Sequence, residues 1–574
     1  MQMPVRATQR FTFAVGVEQL TAVASLFWAL SANRLFMLSA LKDRDFSQPA
    51  TWGFALALLV MLWALNFLLL ALLSTRHSVK PVIAILTVGT ALATYFMQTF
   101  GVYLDPSMLR NAMRTDVAEA RELFSWSLLP HLGLYAVLPL LLLWRVRIVP
   151  RTWTRALGLR VLTMVGAAGV LTGALMLIFQ PFASMMRNHK EMRYLATPTN
   201  YLWSIGAVLA AQAKGAAKPR QPIGLDARPG PAMAARTRPL VLVLVVGETA
   251  RAANWGLNGY TRQTTPELAA LAAQSALSAL SALSGHSAPP GGATLLNFPE
   301  VTACGTNTET SLPCMFAPVG RRDYDEGRIR GSQSLLHVLA RAGVAVHWRD
   351  NQSGCKGVCE GLSQDDVLSL DPPGLCADGR CMDEGLLIGL DERLAAARGT
   401  QFLVLHTLGN HGPSYFRRYP AAFARFSPAC QFDDLQKCSQ QEIVNAYDNA
   451  LLYTDHVLAS LIAKLQAAAG TVDSALLYVS DHGESLGENN LYLHGLPYAI
   501  APDMQKRVPM VMWLSPGLPR ALGLDVACLQ GRSKQPAAHD HLFHTVLGLL
   551  DVTTSLYEAP FDLTQACRNA TAAK

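Results

Sequence analysis

Apolar residues are spread unevenly along this chain, and the two halves show different periods. In the first third they form unbroken stretches of bilayer length. Phe54–Leu73 is twenty residues with Asn66 as its only strongly polar member, and Pro81–Val102, Ser127–Trp144 and Val161–Phe179 carry no charge. Each is close to the twenty or so residues that a helix needs to cross a hydrocarbon core. A fifth stretch, Gln19–Leu41, is interrupted by Asn33 and Arg34. The pattern predicts five membrane spans. Beyond Pro239 the apolar runs shrink to strand length and alternate with helical patterns, which predicts a layered α/β domain with a mainly parallel sheet.

Charge orients the membrane half. Arg6 and Arg10 precede the first span, Arg76 and Lys80 lie between spans two and three, and Arg145, Arg147, Arg151, Arg155 and Arg160 between spans four and five. Loops 42–53 and 103–126 mix acids with bases. The positive-inside rule then puts the N-terminus in the cytoplasm and everything after Phe179 outside. A cleaved signal peptide is not expected, because no small-residue cleavage site follows the first apolar run. The formal net charge of +7 comes largely from these arginines, so it reports topology and not nucleic-acid binding.

Cysteine usage points the same way. All ten cysteines lie at or beyond Cys304. Cys304/Cys314, Cys355/Cys359, Cys376/Cys381 and Cys430/Cys438 form close pairs, with Cys528 and Cys567 left as a possible fifth. Small disulfide loops fit an oxidising periplasm or exterior; a cysteine zinc cluster is the rival, but the pairs lack CxxC spacing. Residues 182–206 mix Met, Arg, His, Tyr and Trp, as a segment in the membrane interface would; an ordinary amphipathic loop fits that composition equally. Residues 207–237, rich in Ala, Pro, Gly and basic side chains, read as a flexible linker. The Ser/Ala/Leu stretch from Ser275 and the Gly/Pro run to Gly292 read as an inserted surface segment. The expected domains are therefore 1–181 in the membrane, 182–237 interfacial and linking, and 238–574 an extracytoplasmic α/β domain.

Four predicted strands end in reactive residues. Leu240–Val246 leads to Glu248 and Arg251, Val344–Trp348 to Asp350 and Lys356, Phe402–Leu405 to His406 and His411, and Ala475–Ser480 to Asp481 and His482, with His494 a short loop away. Ligands bind beyond the carboxyl ends of strands in open α/β sheets, and Asp plus His suits a zinc-type cation. Between Cys304 and Cys314, Thr306, Thr308, Thr310 and Ser311 crowd a loop that opens a helix. A threonine hydroxyl becomes a nucleophile when a metal lowers its pKa and a helix N-terminus favours the anion; without a metal nearby, the same residues are an ordinary capping cluster.

Six collinear motifs carry a specific resemblance: Gly-Glu-Thr-Ala-Arg at 247–251, Cys-Gly-Thr-x-Thr with Pro-Cys at 304–314, Trp-Arg-Asp-Asn at 348–351, Gly-Asn-His-Gly-Pro at 409–413, Asn-Ala-Tyr-Asp-Asn at 445–449 and Ser-Asp-His-Gly-Glu-Ser-Leu-Gly-Glu-Asn at 480–489. Across residues 238–515 the chain resembles the membrane-anchored phosphoethanolamine transferases that modify lipid A, a family that includes the mobile colistin-resistance enzymes. The resemblance implies a five-span α-helical membrane domain plus an α/β alkaline-phosphatase/sulfatase-like catalytic domain. It implies zinc, one ion firmly and a second as an open question, held by Glu248, Thr308, Asp481 and His482, with Thr308 as the nucleophile. His411 and His494 match residues that contact the phosphoryl group or a second zinc, and Lys356 and His406 match residues lining the same pocket. Asn111, Thr115 and Glu119 match residues that hold the lipid headgroup, and their i, i+4, i+8 spacing predicts one helix face. Three departures stand out: Gln352 replaces an Asn found in some relatives, the Ser/Ala/Leu insertion before Thr308 is unusual, and Glu309 follows the nucleophile where a small residue is usual. A carboxylate there needs to point away or to pair with a cation.

The implied reaction takes phosphoethanolamine from phosphatidylethanolamine through Thr308 to lipid A or the lipopolysaccharide core, at the inner membrane with the catalytic domain in the periplasm. The added amine lowers the negative charge of the surface and weakens the attraction of cationic peptides such as polymyxin. The enzyme is expected to act as a monomer, with no nucleic-acid partner. A sulfatase would carry Cys-x-Pro-x-Arg at its nucleophile, which is missing here. Metal ligands alone do not separate a glycerol-phosphate transferase, although the motifs favour phosphoethanolamine. A catalytically dead membrane sensor or assembly factor would have lost a ligand or the nucleophile, and every such position is filled. A transporter would place more charges within its spans.

Overall fold

The structure, a computed structural model, describes residues 13–42, 44–115, 117–216, 219–283 and 292–568. The chain divides into two compact units, Met1–Arg110 with Ser125–Ala211, and Asn111–Phe124 with Gln212–Lys574. Asn111–Phe124, counted with the membrane part in the sequence reading, thus packs with the C-terminal unit.

Among the described residues of the first unit, four helices are long and apolar enough to cross a membrane: Pro49–Leu73, Val79–Phe100, Leu128–Arg145 and Trp153–Leu177. A fifth span arises if Val17–Ser31 and Arg34–Leu41, bent by 53° at their junction, are taken as one. Asn33 accounts for the break. It is fully buried, its Nδ2 donates to Trp28 O and Thr197 O, and its Oδ1 accepts from Thr197 N–H. A lone amide in an apolar bundle is costly unless hydrogen-bonded, and here it is saturated. Arg6 and Arg10 lie outside the described residues. The expected interfacial segment is helical over Phe179–Asn188 and forms a 3₁₀ turn over Lys190–Leu195.

Over their described part, residues 207–237 differ from the flexible linker expected. The helix Thr199–Ala216 continues through their start. Further on, Gln221 pairs with Ser332, and Arg228–Pro229 pairs antiparallel with Val552–Thr553, so main-chain hydrogen bonds fasten the segment to the second unit. The Ser/Ala/Leu stretch is likewise not a loose insertion over its described part: Pro266–Leu283 is one helix, and buried Ser275 accepts from Leu295 N–H. Residues 284–291 lie outside the described residues.

The second unit is built on an eight-stranded mixed sheet. Its strands in chain order are β1 (Leu240–Gly247), β2 (Thr294–Thr302), β3 (Ala345–Asp350), β4 (Ser363–Asp366), β5 (Thr400–His406), β6 (Asp473–Ser480), β7 (Arg507–Leu514) and β8 (Ala537–Ala538). The spatial order is β8-β2-β7-β6-β1-β5-β3-β4. Only the two pairings of β7, with β2 and with β6, are antiparallel. Every residue of β1 and β6 is buried, as continuous Val/Leu runs in a doubly covered sheet require. The register puts Ser480 opposite Gly247, and His406 opposite both Val246 and Asp350. Four neighbouring parallel strands therefore end at one level, and their next residues share one rim. All ten cysteines are paired, as Cys304–Cys314, Cys355–Cys359, Cys376–Cys381, Cys430–Cys438 and Cys528–Cys567.

Candidate metal centre and active site

Glu248 leaves β1 and Asp481 and His482 leave β6, and the three present ligand atoms within 4.8 Å of one another, all buried. The backbone is forced to achieve this. Thr249, β-branched, sits at φ +52°, a conformation that such residues avoid and that concentrates at functional sites. Its N–H donates to Asp481 Oδ1 at 3.2 Å, and Tyr447 Oη donates to its carbonyl at 2.7 Å. Opposite, Gly409 passes so close that a Cβ would lie 2.7 Å from Glu248 O.

Thr308 arrives from a different element. It is the first residue of the helix Thr308–Met315, whose N-cap Asn307 accepts from Thr310 N–H at 2.9 Å. Cys304–Cys314 closes the loop around it, and the Ser311 hydroxyl donates to Asp481 O, fastening the helix to the strand end. Thr308 Oγ1 lies 3.1 Å from Glu248 Oε2 and 3.3 Å from His482 Nε2. The four residues expected to act together do converge.

The donor set fits a zinc-type cation. His482 Nδ1 donates to Gly483 O at 2.9 Å, which leaves Nε2 with its lone pair toward the cluster. His482 Nε2 is 3.4 Å from Asp481 Oδ2 and 3.5 Å from Glu248 Oε1. A tetrahedron with bonds of about 2.0–2.1 Å has edges of roughly 3.3 Å, so these spacings match. Asp481 Oδ2 is buried without a hydrogen-bond partner. Burial and the neighbouring Asp481 push the Glu248 carboxyl well above its ordinary value, and burial pushes His482 down to about 4. Two facing buried carboxylates are mutually repulsive; a divalent cation between them reverses that balance.

Outward from the cluster runs a row of imidazoles. The His482 and His494 rings are 4.3 Å apart and those of His494 and His411 5.7 Å. His494 Nδ1 lies 3.3 Å from Glu484 Oε2; burial raises Glu484 to about 8, and burial with the His411 charge lowers His494 to about 4. His411 Nε2 meets Glu119 Oε1 at 3.4 Å. Burial opposes ionisation of Glu119, but His411, Lys356 and His494 outweigh it and hold that carboxyl at about 2. His406 Nδ1 donates to Asp350 Oδ1 at 2.8 Å, and its Nε2, buried and unpartnered, points to Glu248 Oε2 at 4.0 Å. Lys356 is buried at φ +49°, with its ammonium on Ser353 O at 3.0 Å.

One expectation fails. Asn111, Thr115 and Glu119 do not share one continuous helix: Pro106–Arg114 ends before Thr115, and Val117–Glu122 starts anew. Thr115 Oγ1 donates back to Asn111 O at 3.0 Å, a bond by which threonine competes with the helical ladder. Of the three, Glu119 reaches the imidazole row. Glu309 is resolved by pairing: its buried carboxylate meets Arg114 Nη1 at 2.7 Å and Arg330 Nη1 at 2.9 Å.

Several supporting residues lay outside every motif. His539, fully buried, donates from Nε2 to Ser480 O at 2.9 Å and accepts from Cys304 N–H at 3.1 Å, tying β6 to the Thr308 loop. Asp383 accepts from Leu408 N–H and Gly409 N–H, both at 2.8 Å, and so shapes the loop after β5. Neither stands out in the sequence, because His539 is followed by Asp540 and His541 and Asp383 by Glu384.

Strand ends gathering two carboxylates, an imidazole and a hydroxyl on a mixed sheet define a sulfatase-like domain, and the family model described as Sulfatase matches residues 241–552. The model for phosphoethanolamine transferase EptA/EptB matches residues 62–213. The chain is 39% identical to phosphoethanolamine transferase EptA of Salmonella typhimurium, over 84% of each chain, and 36% identical to phosphatidylethanolamine transferase Mcr-1 of Escherichia coli, over 93% of this chain and 95% of that one. Among solved structures it is similar to the integral membrane lipooligosaccharide phosphoethanolamine transferase A of Neisseria meningitidis, with a TM-score of 0.88, 36% identity and coverage of 97% of this chain and 100% of that one. The chain belongs to the phosphoethanolamine transferase family, as a multi-pass membrane protein with a sulfatase-like catalytic domain.

Proposed function

We propose that this protein transfers phosphoethanolamine from phosphatidylethanolamine to lipid A, or to nearby lipopolysaccharide core, through a covalent intermediate on Thr308, and thereby reduces sensitivity to cationic peptides such as polymyxin. The observation that carries this reading is Thr308 Oγ1 at a helix N-terminus, within 3.1–3.3 Å of Glu248 and His482. Glu248, Thr308, Asp481 and His482 would hold one zinc ion, which supplies Lewis-acid chemistry by lowering the pKa of the hydroxyl and offsetting phosphoryl charge. His411 and His494 suit a second ion or the phosphoryl oxygens themselves.

The Thr308 hydroxyl passes its proton along its hydrogen bond to Glu248 as Oγ1 attacks the donor phosphorus; the new Oγ–P bond forms as the bond to the diacylglycerol oxygen breaks, and that oxygen leaves with a proton from the imidazole row. An acceptor hydroxyl on lipid A then attacks the same phosphorus, its proton restoring the imidazole row, and Thr308 is released with the proton held at Glu248. Both substrates are lipids, which accounts for a catalytic domain on a membrane anchor. By the positive-inside reading, the anchor has five spans in the inner membrane and the site faces the periplasm.

Lipid A mass spectra from cells with and without the protein test the activity, with a phosphoethanolamine-bearing species expected only in its presence. Thr308→Ala is expected to abolish that species and any phosphoethanolamine adduct on the protein; full transfer by T308A refutes the nucleophile.

A further inference from the structure

Glu119 and Glu122 are three residues apart on the short helix Val117–Glu122 and so lie on one face. They take hold of His411 from opposite ends. Glu119 meets its ring at 3.4 Å. Glu122 reaches its backbone through an intermediary. Both Glu122 oxygens face the Arg418 guanidinium, Oε1 at 3.2 Å from Nη1 and Oε2 against Nη2, while Arg418 Nε donates to His411 O at 2.7 Å. Arg380, from the hairpin closed by Cys376–Cys381, adds Nε at 2.9 Å to Glu122 Oε1. The Arg418 and Glu122 side chains are 1% and 5% exposed.

Burying such a pair is a poor way to gain stability. The desolvation of two charges consumes most of their attraction, and an apolar pair of equal volume commonly does as well. What a forked guanidinium–carboxylate pair adds is a fixed geometry. Here the fork has a third arm, on the carbonyl of a histidine in the imidazole row. At the other end of the segment, Arg114 grips Glu309, the residue next to Thr308. The segment thus touches the immediate neighbours of the nucleophile and, through Arg418, of His411.

We propose, on the basis of the transferase reading above, that Glu122 and Arg418 are positioning residues, whose pair sets His411 by its carbonyl and keeps Glu119 on its ring during phosphoryl transfer. They stand outside the Glu248–Asp481–His482 cluster and act through His411 and the Glu119 that meets its ring.

A double-mutant cycle on the full chain in phosphatidylethanolamine-containing nanodiscs tests this, with kcat, KM, zinc content and thermal unfolding measured for wild type, E122Q, H411A and E122Q/H411A. E122Q is expected to lower kcat tenfold or more, with KM changed less than threefold and with zinc content and unfolding midpoint retained. In the H411A background the same substitution is expected to cost less than twofold, because the residue it positions is gone. E122D is expected to recover most of the loss. An equal loss in both backgrounds, or a wild-type rate in E122Q, overturns the proposal. Should E122Q fail to accumulate, R418K in the two backgrounds carries the same cycle with the same expectations. If T308A transfers as well as wild type, or wild type forms no phosphoethanolamine product, the functional reading falls and this one with it; transfer that depends on Thr308 but not on Glu122 removes this one alone.

Discussion

Two regions meet around Thr308, and they are held by different physics. The ends of β1 and β6 are backbone-built: ladder hydrogen bonds set Glu248 beside Asp481, and no side-chain choice can move one without the other. The Asn111–Phe124 segment is held by charge, through Arg114–Glu309, Glu119–His411 and Glu122–Arg418. The first arrangement is preorganised and buried. The second depends on ion pairs whose strength varies with pH, burial and salt. A site that is to keep a metal ion yet admit and release lipid headgroups, as proposed above, would gain from having one wall of each kind.

The sharpest test of the rigid wall is Glu248→Gln. It preserves shape and removes one of the two buried carboxylates that a zinc-type cation would neutralise. Transfer is expected to fall at least a thousandfold, about 4 kcal/mol of transition-state stabilisation, and zinc measured by atomic absorption is expected to fall with it. Retention of both zinc and activity would show that the strand ends are a structural clip.

That wall was also the part most legible in the sequence. Strand-length Val/Leu runs ending in Glu248, His406 and Asp481-His482 announce a rim, and a parallel register makes adjacent ends coincide whatever the connections do. Pairings across long separations were not legible. His539 reaches Ser480 and Cys304 from 59 and 235 positions away, and nothing local distinguishes it from any helix-start histidine. The charged wall misled in a different manner: i, i+4, i+8 spacing assumes an unbroken helix, and the Thr115 hydroxyl bonding Asn111 O accompanies its break. Periodicity reports a face only where the ladder survives. Charge spacing flagged Glu309 as anomalous but not its partners, since Arg114 and Arg330 meet it only after folding.

Acid separates the two walls. Burial holds His539 down to about 4 from an ordinary 6.5, so the folded protein takes up this proton less readily than the unfolded chain. The contribution of neutral His539 is therefore complete above pH 6.5, falls as pH drops from 6.5 to 4, and levels off below; its size is on the order of 3 kcal/mol. Glu119 responds with the same sign but in a lower window. Its depressed value of about 2 means that its contribution is complete above about 4.5 and is lost only as pH falls toward 2. Thermal unfolding midpoints followed from pH 8 to 4 are expected to drop in the wild type and to drop less in His539→Gln, at a lower starting stability. An equal slope in both would remove His539 as the cause.

Glu119→Gln examines the charged wall directly. It keeps the side chain's volume and a hydrogen bond to His411 while removing the charge that His411, Lys356 and His494 stabilise. Transfer is expected to fall tenfold to a hundredfold, roughly 1.4–2.7 kcal/mol, with zinc retained because no cluster ligand is altered. Loss of zinc in E119Q would mean that the two walls are one cooperative unit, and the comparison drawn from their construction would break.

Salt should give the smallest effect, and it discriminates between the two anchors of the segment. The Arg114 side chain is 41% exposed, whereas Arg418 and Glu122 are 1% and 5% exposed. At 1 M ionic strength the screening length is about 3 Å, against about 10 Å at 0.1 M, so ions reach the first pair and not the second. Only the Arg114 end of this pair is exposed, Glu309 being buried; with the roughly 0.2–1 kcal/mol of a surface pair as the part that salt can screen, raising salt across that range is expected to lower transfer by no more than about fivefold through Arg114–Glu309. Substrate binding adds a salt dependence of its own, which Arg114→Ala leaves in place; the difference between the two slopes isolates the pair. Wild type and R114A falling in parallel would mean that Arg114 neutralises Glu309 without fastening the segment, with Arg330, at 2.9 Å from the same oxygen, sufficient to hold the carboxylate beside Thr308.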